Sequence, residues 1–213
     1  MSSRSEIIEA VKEYKLISIV RGVEKNKALE IADALYQGGV KLIEVTFNTE
    51  GAVEMIEAIN KEFGDKMYVG AGTVLDSETA KQAITAGAEY ILSPSLNENM
   101  VNTCNRYGKV AVPGVATPTE AVEAMQIGAD LIKFFPAAAA GANYLKSVRG
   151  PLDHVEIIAV GGVSIDNALD FLDAGAVGLG VGSSLVKNEL IEAGNFEGIK
   201  KNASNFINLI ENN

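Results

Sequence analysis

A glycine-led strand pattern occurs four times along this chain. The segments QGGVKLIEVT, TAGAEYILSP, QIGADLIKFF and DAGAVGLGVG begin at residues 37, 85, 126 and 173, so the pattern recurs after 48, 41 and 47 residues. In each segment a Gly at the expected C-terminus of a helix precedes a small or β-branched residue and then an apolar strand. Such even spacing indicates one supersecondary unit used repeatedly.

Four further strand candidates lie between these segments, namely KLISIV, KMYVGAG, KVAVPG and VEIIAVGG. Helical periodicity fills the intervals, as in KALEIADALYQ and GAVEMIEAINKEF. Eight alternating strand and helix units predict a parallel sheet. We expect residues 1–213 to form one (β/α)8 TIM barrel domain with an N-terminal helix. A doubly wound open sheet is the competing arrangement, and it explains a pattern recurring on alternate strands less well.

The repeat also predicts which side chains share a height inside the barrel. Five residues after the shared Gly stand Glu44, Leu92, Lys133 and Gly180. Layers of inward side chains come from alternate strands in such a barrel, so these four residues should form one layer. Lys133 would then lie beside Glu44, with free space above Gly180.

Lys133 is the first candidate for chemistry because it interrupts the apolar run LIKFF. Burial lowers the pKa of an ammonium group, and a neutral amine can attack a ketone to form a Schiff base. Glu44 could then move protons near that imine. The structural alternative is a buried ion pair between Lys133 and Glu44, or a lysine that extends from the strand end into water.

Other candidates stand where strands end, which is where barrel enzymes place their active sites. Arg21 after the first strand suits a carboxylate or phosphate, or an ordinary rim ion pair. Thr73 could donate to a substrate carboxylate. The loops after strands seven and eight frequently bind phosphate through backbone N–H groups, although glycine is also common in plain turns. The residues that fit this role are Gly161, Gly162, Gly182 and Ser183.

Charge and composition exclude several classes of protein. The formal net charge is −10 and the 18 basic residues are scattered, which disfavours nucleic acid or an acidic membrane as partner. One Cys and one His cannot build a thiolate or imidazole zinc cluster. No apolar run is long enough to span a bilayer, and the polar start MSSRSEIIEAVKEY predicts a helix rather than a signal peptide. We therefore expect a cytoplasmic protein.

The sequence resembles the 2-keto-3-deoxy-6-phosphogluconate (KDPG) and 4-hydroxy-2-oxoglutarate (KHG) aldolases over nearly its whole length. The motifs concerned are IEVTFNT, VGAGTVLD, LSPSL, VPGVATPTE, IKFFPA and AVGGVS, in this order. The resemblance implies a class I aldolase that needs no metal or other cofactor, acts on a small 2-keto acid and is usually a homotrimer. It makes Lys133 the Schiff-base lysine and Glu44 the general acid/base. Thr73 and Pro94, with Phe135 nearby, would line the pyruvate side, and Gly161, Gly162 and Ser183 would bind phosphate.

Two positions depart from many relatives. Asn48 stands where many relatives carry an Arg that helps to hold the substrate carboxylate, and relatives that act on the galactonate epimer also have Asn there. Other relatives lack this Arg and carry one in the first strand, where Arg21 stands here. Val160 replaces a Thr before the two Gly residues. The preferred substrate stays open, and so do two alternatives to the aldolase. One is another phosphate-sugar barrel enzyme, an epimerase or a transferase, and the other is a non-catalytic barrel that binds a phosphorylated ligand.

Overall fold

One parallel sheet organises the computed structural model, which describes residues 2–212. Within these residues the sheet has nine strand segments, which are β1 Leu16–Val20, β2 Leu42–Thr46, β3 Tyr68–Gly72, β4 Tyr90–Leu92, β5 Val110–Val112, β6 Gly114–Val115, β7 Ile132–Phe134, β8 Ile157–Val160 and β9 Gly178–Val181. Hydrogen bonds join neighbouring segments in the order β5-β4-β3-β2-β1-β9-β8-β7-β6.

The fifth predicted strand is divided into β5 and β6 by Pro113. Proline has no N–H to offer a neighbouring strand, so it interrupts the ladder there. Its carbonyl still accepts a hydrogen bond from Lys133 N at 2.9 Å. Because β5 bonds to β4 and β6 bonds to β7, the chain itself joins the two ends of the sheet. The predicted (β/α)8 barrel is therefore confirmed, as a nearly closed barrel whose fifth strand has two parts.

Helices follow the strands and cover the outside of the barrel. The helices are α1 Arg4–Tyr14, α2 Ala28–Gln37, α3 Ala52–Phe63, α4 Ser77–Thr85, α5 Glu98–Arg106, α6 Pro118–Gln126, α7 Ala137–Ala140, α8 Ala142–Arg149, α9 Ala168–Asp173, α10 Asn188–Glu192 and α11 Phe196–Glu211, with a 3-10 turn at Lys25–Lys27. Thr117 and Glu120 form a capping box at the start of α6, as the pattern T-x-x-E indicates.

The repeated glycine has a conformational cause. Its φ angles are 95°, 105°, 87° and 98° at Gly39, Gly87, Gly128 and Gly175. These values lie in the left-handed region, which L-residues with a side chain rarely adopt. Each glycine therefore ends a helix and turns the chain into the next strand, which explains why the pattern can be found in the sequence.

Apolar side chains form two separate layers. The larger layer lies between the strands and the outer helices. The smaller one fills the barrel interior with residues such as Ile17, Leu131 and Ile158, and it includes Ile7 and Val11 of α1. Helix α1 thus covers the N-terminal end of the barrel and shields its apolar interior from water. The opposite end, where the strands have their carboxyl ends, is not covered by this helix.

Candidate active site

The strand register agrees with the predicted interior layer. Glu44 pairs with Gly70, and Gly70 pairs with Tyr90, which stands two residues before Leu92. Strands are tilted relative to the barrel axis. Residues at equal height therefore differ from hydrogen-bonded partners by about two residues for every two strands crossed. The same step leads from Leu92 to Lys133, from there to Gly180, and back to Glu44.

Lys133 and Glu44 are both buried in this layer, with exposed fractions of 1% and 0%. Burial lowers the pKa of Lys133; the carboxylate of Glu44 opposes this shift and the nearby charge of Arg21 adds to it. Burial also raises the pKa of Glu44, against the opposing charges of Lys133 and Arg21. Each group is thus shifted toward its uncharged form.

The two side chains do not form the direct ion pair of the structural alternative. Within residues 2–212, both carboxylate oxygens of Glu44 are buried and accept no hydrogen bond. Buried polar atoms almost always have a partner in proteins, so two such oxygens in one side chain mark Glu44 as a candidate functional group. Phe135 lies above the amine, with Lys133 Nζ 5.0 Å from its ring centroid.

Glycine creates the space beside Glu44. A Cβ built on Gly72 would overlap Oε1 and the carboxyl carbon of Glu44. Gly72→Ala should therefore push the carboxylate out of its position. We expect kcat for the cleavage proposed below to fall by at least about tenfold, because small misplacements of a reacting group cost that much.

Gly150→Ala is the matched control for this prediction. Gly150 has a helical φ of −52°, and a Cβ there would meet only ordinary van der Waals contacts. Steady-state kinetics of the two variants, with thermal unfolding recorded alongside, provides the comparison. Equal kcat values for the two folded variants would contradict a role of Gly72 in placing Glu44.

A cavity of about 430 Å³ opens at the carboxyl ends of β1, β8 and β9. Within residues 2–212, no residue accepts a hydrogen bond from the backbone N–H groups of Gly162, Ser183 and Ser184, which all line it. Free N–H groups around a cavity suit an anion. Six of the predicted site residues line this cavity, namely Arg21, Phe135, Gly161, Gly162, Gly182 and Ser183.

The other predicted residues are placed differently. Asn48 is exposed and lines a neighbouring depression with Gly22 and Lys25. Thr73 has a φ of 56°, which is unusual for a β-branched residue and marks local strain at the end of β3. Pro94 is half-buried, and its backbone lies against Gly114. None of these three lines the cavity that contains Arg21.

Tyr90 is a buried side chain of the interior that the sequence did not single out. Its hydroxyl donates to the carbonyl of Ile43 at 2.8 Å, next to Glu44 in the chain. Its ring fills the space that a side chain at Gly70 would need. The position of Tyr90 in the repeated segment, two residues before Leu92, could have placed it one layer below Glu44.

Residues 2–212 contain neither a metal-binding cluster of side chains nor a helix suited to span a membrane. No group of three or more His, Cys, Asp and Glu side chains is arranged to hold a metal ion within these residues. In the same part of the chain, no helix combines the length and the apolar character needed to cross a membrane.

The fold and the cavity at the carboxyl ends of its strands define the class, a (β/α)8 barrel enzyme. More particularly, residues 7–202 match the model of the KDPG and KHG aldolase family, and the chain belongs to this family. It is therefore an aldolase, a lyase.

Individual relatives cover most of the chain. The 2-dehydro-3-deoxy-6-phosphogalactonate aldolase of Escherichia coli is 35% identical over 81% of this chain and 84% of that protein. The KHG/KDPG aldolase of the same organism is 38% identical over 82% of each chain. The KDPG aldolase of Legionella pneumophila, crystallised with pyruvate as a covalent carbinolamine, superposes with a TM-score of 0.86 at 30% identity, over 92% of this chain and 95% of that chain.

Proposed function

We propose that this protein is a class I aldolase for 2-keto acids that carry a hydroxyl group on C4. It would cleave KDPG, or the galactonate epimer, to pyruvate and glyceraldehyde 3-phosphate, and/or KHG to pyruvate and glyoxylate. The observation that supports this most directly is the buried Lys133, whose pKa is lowered by burial, in one layer with Glu44. Relatives that bear the names of these substrates support the choice of substrate class.

Lys133 is the proposed nucleophile. Its uncharged amine attacks C2 of the 2-keto acid and gives a carbinolamine, which loses water to form an iminium. The iminium withdraws electrons when the C3–C4 bond breaks, and the product on the enzyme is an enamine. Protonation at C3 and hydrolysis of the resulting iminium release pyruvate and free Lys133.

Glu44 is the proposed general acid/base. Its carboxylate accepts the proton of the C4 hydroxyl, directly or through a water molecule, as the C3–C4 bond breaks. The raised pKa of Glu44, caused by burial, brings it closer to the neutral range in which such proton transfers are efficient. Neither carboxylate oxygen is engaged by a hydrogen bond within residues 2–212, so both can accept one from that water or hydroxyl.

The two ends of the substrate are anionic, and separate groups are proposed to bind them. Arg21, Thr73 and Asn48 would bind the carboxylate, with Pro94 and Phe135 against the pyruvate carbons. The glycine loops after β8 and β9 would bind the phosphate through backbone N–H groups and the Ser183 hydroxyl. Val160 offers no hydroxyl for either anion, which is one reason to compare substrates directly. The phosphate-binding set is Gly161, Gly162, Gly182 and Ser183.

Pyruvate release from a panel of 2-keto acids tests this function. We expect cleavage of KDPG, its galactonate epimer or KHG when pyruvate is followed with lactate dehydrogenase. Activity should survive exhaustive treatment with a chelator, because the protonated imine serves as the electron sink. Loss of activity with chelator would favour a metal-dependent phosphate-sugar epimerase or transferase. Binding of phosphorylated ligands without any pyruvate release would favour the non-catalytic barrel.

Three further properties are proposals of the same kind. We propose that residues 1–213 act as one domain, that the enzyme is cytoplasmic and that it is a homotrimer, on the basis of its resemblance to the aldolases. Sedimentation equilibrium of the purified protein should give three chain masses. A monomer over the whole concentration range would contradict the trimer without affecting the proposed chemistry.

A further inference from the structure

Two buried hydroxyl groups link the ends of the first two strands. Thr46 ends β2 and Thr49 follows in the next turn, with exposed fractions of 0% and 4%. Their hydroxyl oxygens are 3.0 Å apart. Thr49 N also donates to Thr46 O at 2.9 Å, which closes the four-residue turn that contains Asn48.

The same hydroxyls bind the backbone on both sides of Arg21. Gly22 N donates to Thr49 Oγ1 at 2.9 Å. Thr46 Oγ1 lies 3.5 Å from the carbonyl oxygen of Val20, within reach of a weak hydrogen bond. One assignment of protons satisfies every group: Gly22 N–H donates to Thr49, Thr49 donates to Thr46, and Thr46 donates to the Val20 carbonyl.

Arg21 itself has no such support from its side chain. It is exposed at the cavity, and within residues 2–212 its guanidinium forms no ion pair or hydrogen bond. The rim ion pair that its sequence context allowed is therefore not formed. Only its backbone is fixed, through the peptide groups before and after it. The guanidinium on this fixed backbone can bind an anionic ligand without first breaking an ion pair, and the entropic cost is that of ordering its side chain.

We propose that Thr46 and Thr49 are positioning residues, which hold Arg21 and the turn of Asn48 in the arrangement that binds the substrate carboxylate. This inference rests on the proposed function, because it concerns that site's own ligand. Neither threonine is proposed to touch the substrate. The hydroxyl chain acts on binding and leaves the chemistry at Lys133 unchanged.

Thr49→Val removes the hydroxyl at nearly constant shape and is the first test. We expect the pyruvate concentration for half-maximal borohydride inactivation, and KM for the cleaved substrate, to rise about tenfold, with kcat changed by less than about twofold. Thr49→Ser keeps the hydroxyl and should restore values near wild type. Thr103→Val is the matched control, since Thr103 is buried in α5, and it should change neither parameter.

A double-mutant cycle separates positioning of Arg21 from general loosening of the fold. In an Arg21→Ala background, Thr49→Val should raise the pyruvate requirement by much less than tenfold, because only the turn of Asn48 remains of the two groups that it positions. An equal increase in both backgrounds would overturn the proposal, and so would an unchanged pyruvate requirement in Thr49→Val. If wild type itself forms no pyruvate adduct, the proposed function fails and this inference fails with it. A wild-type adduct combined with a silent Thr49→Val refutes the inference alone.

Discussion

Lys133→Met is expected to lower kcat/KM for aldol cleavage by about 10⁴-fold or more. Methionine has nearly the length of lysine but no amine, so no imine can form and the C3–C4 bond loses its electron sink. The folded state should persist, because an apolar side chain replaces a buried amine that forms no direct ion pair within residues 2–212. Pyruvate release and thermal unfolding of the purified variant check the two halves of this prediction.

Lys109→Met is the control for Lys133→Met. Lys109 is also largely buried, with 8% exposure, but it precedes β5 at the opposite end of the barrel. The control variant should keep kcat within about twofold of wild type wherever it stays folded. Cleavage at a normal rate by folded Lys133→Met would exclude the Schiff-base mechanism at this residue.

Glu44→Gln should lower kcat for cleavage by about 10²- to 10⁴-fold, the usual contribution of a general acid/base. The amide has the shape of the carboxyl group, yet it cannot accept the proton of the C4 hydroxyl. Imine formation with pyruvate should survive, because Lys133 supplies the attacking amine. Single-turnover cleavage and borohydride inactivation, measured on the same preparation, separate the two steps.

Glu44→Gln should also shift the pH dependence of imine formation, and the direction of the shift can be predicted. The carboxylate of Glu44 raises the pKa of Lys133 against the larger lowering effect of burial. Its removal should therefore lower the pKa of Lys133 further, and the amine stays uncharged at lower pH. The acidic limb of the inactivation rate must then move to lower pH. A shift to higher pH would show that Glu44 does not act on Lys133 through its charge.

The sequence predicted best those features in which one residue type is required by the local backbone conformation or by hydrogen bonds between residues close in the chain. Gly39 and its three counterparts adopt left-handed backbone angles, so the repeat records a conformational requirement. That repeat, together with the period of two in β-strands, predicts the layer of Glu44 and Lys133. The capping box at Thr117 was predictable for the same reason, since its bonds join residues close in the chain.

Features that join distant residues were not predictable in this way. The hydrogen bond from Gly22 N to Thr49 depends on how two loops approach each other, which no local pattern encodes. The absence of a direct ion pair at Glu44 within residues 2–212 depends on side-chain conformations inside the barrel. Pro113 was visible in the sequence, but its effect, the division of one strand between two neighbours, follows from the closure of the sheet.

Borohydride trapping with pyruvate tests whether Lys133 forms the proposed Schiff base. The protein is incubated with pyruvate and sodium borohydride, and the adduct is located by intact and peptide mass spectrometry. We predict a single reduced pyruvate adduct on Lys133, absent from Lys133→Met and present in Glu44→Gln. No adduct, or an adduct on another lysine, would exclude Lys133 as the Schiff-base residue and leave it a structural role in the barrel interior.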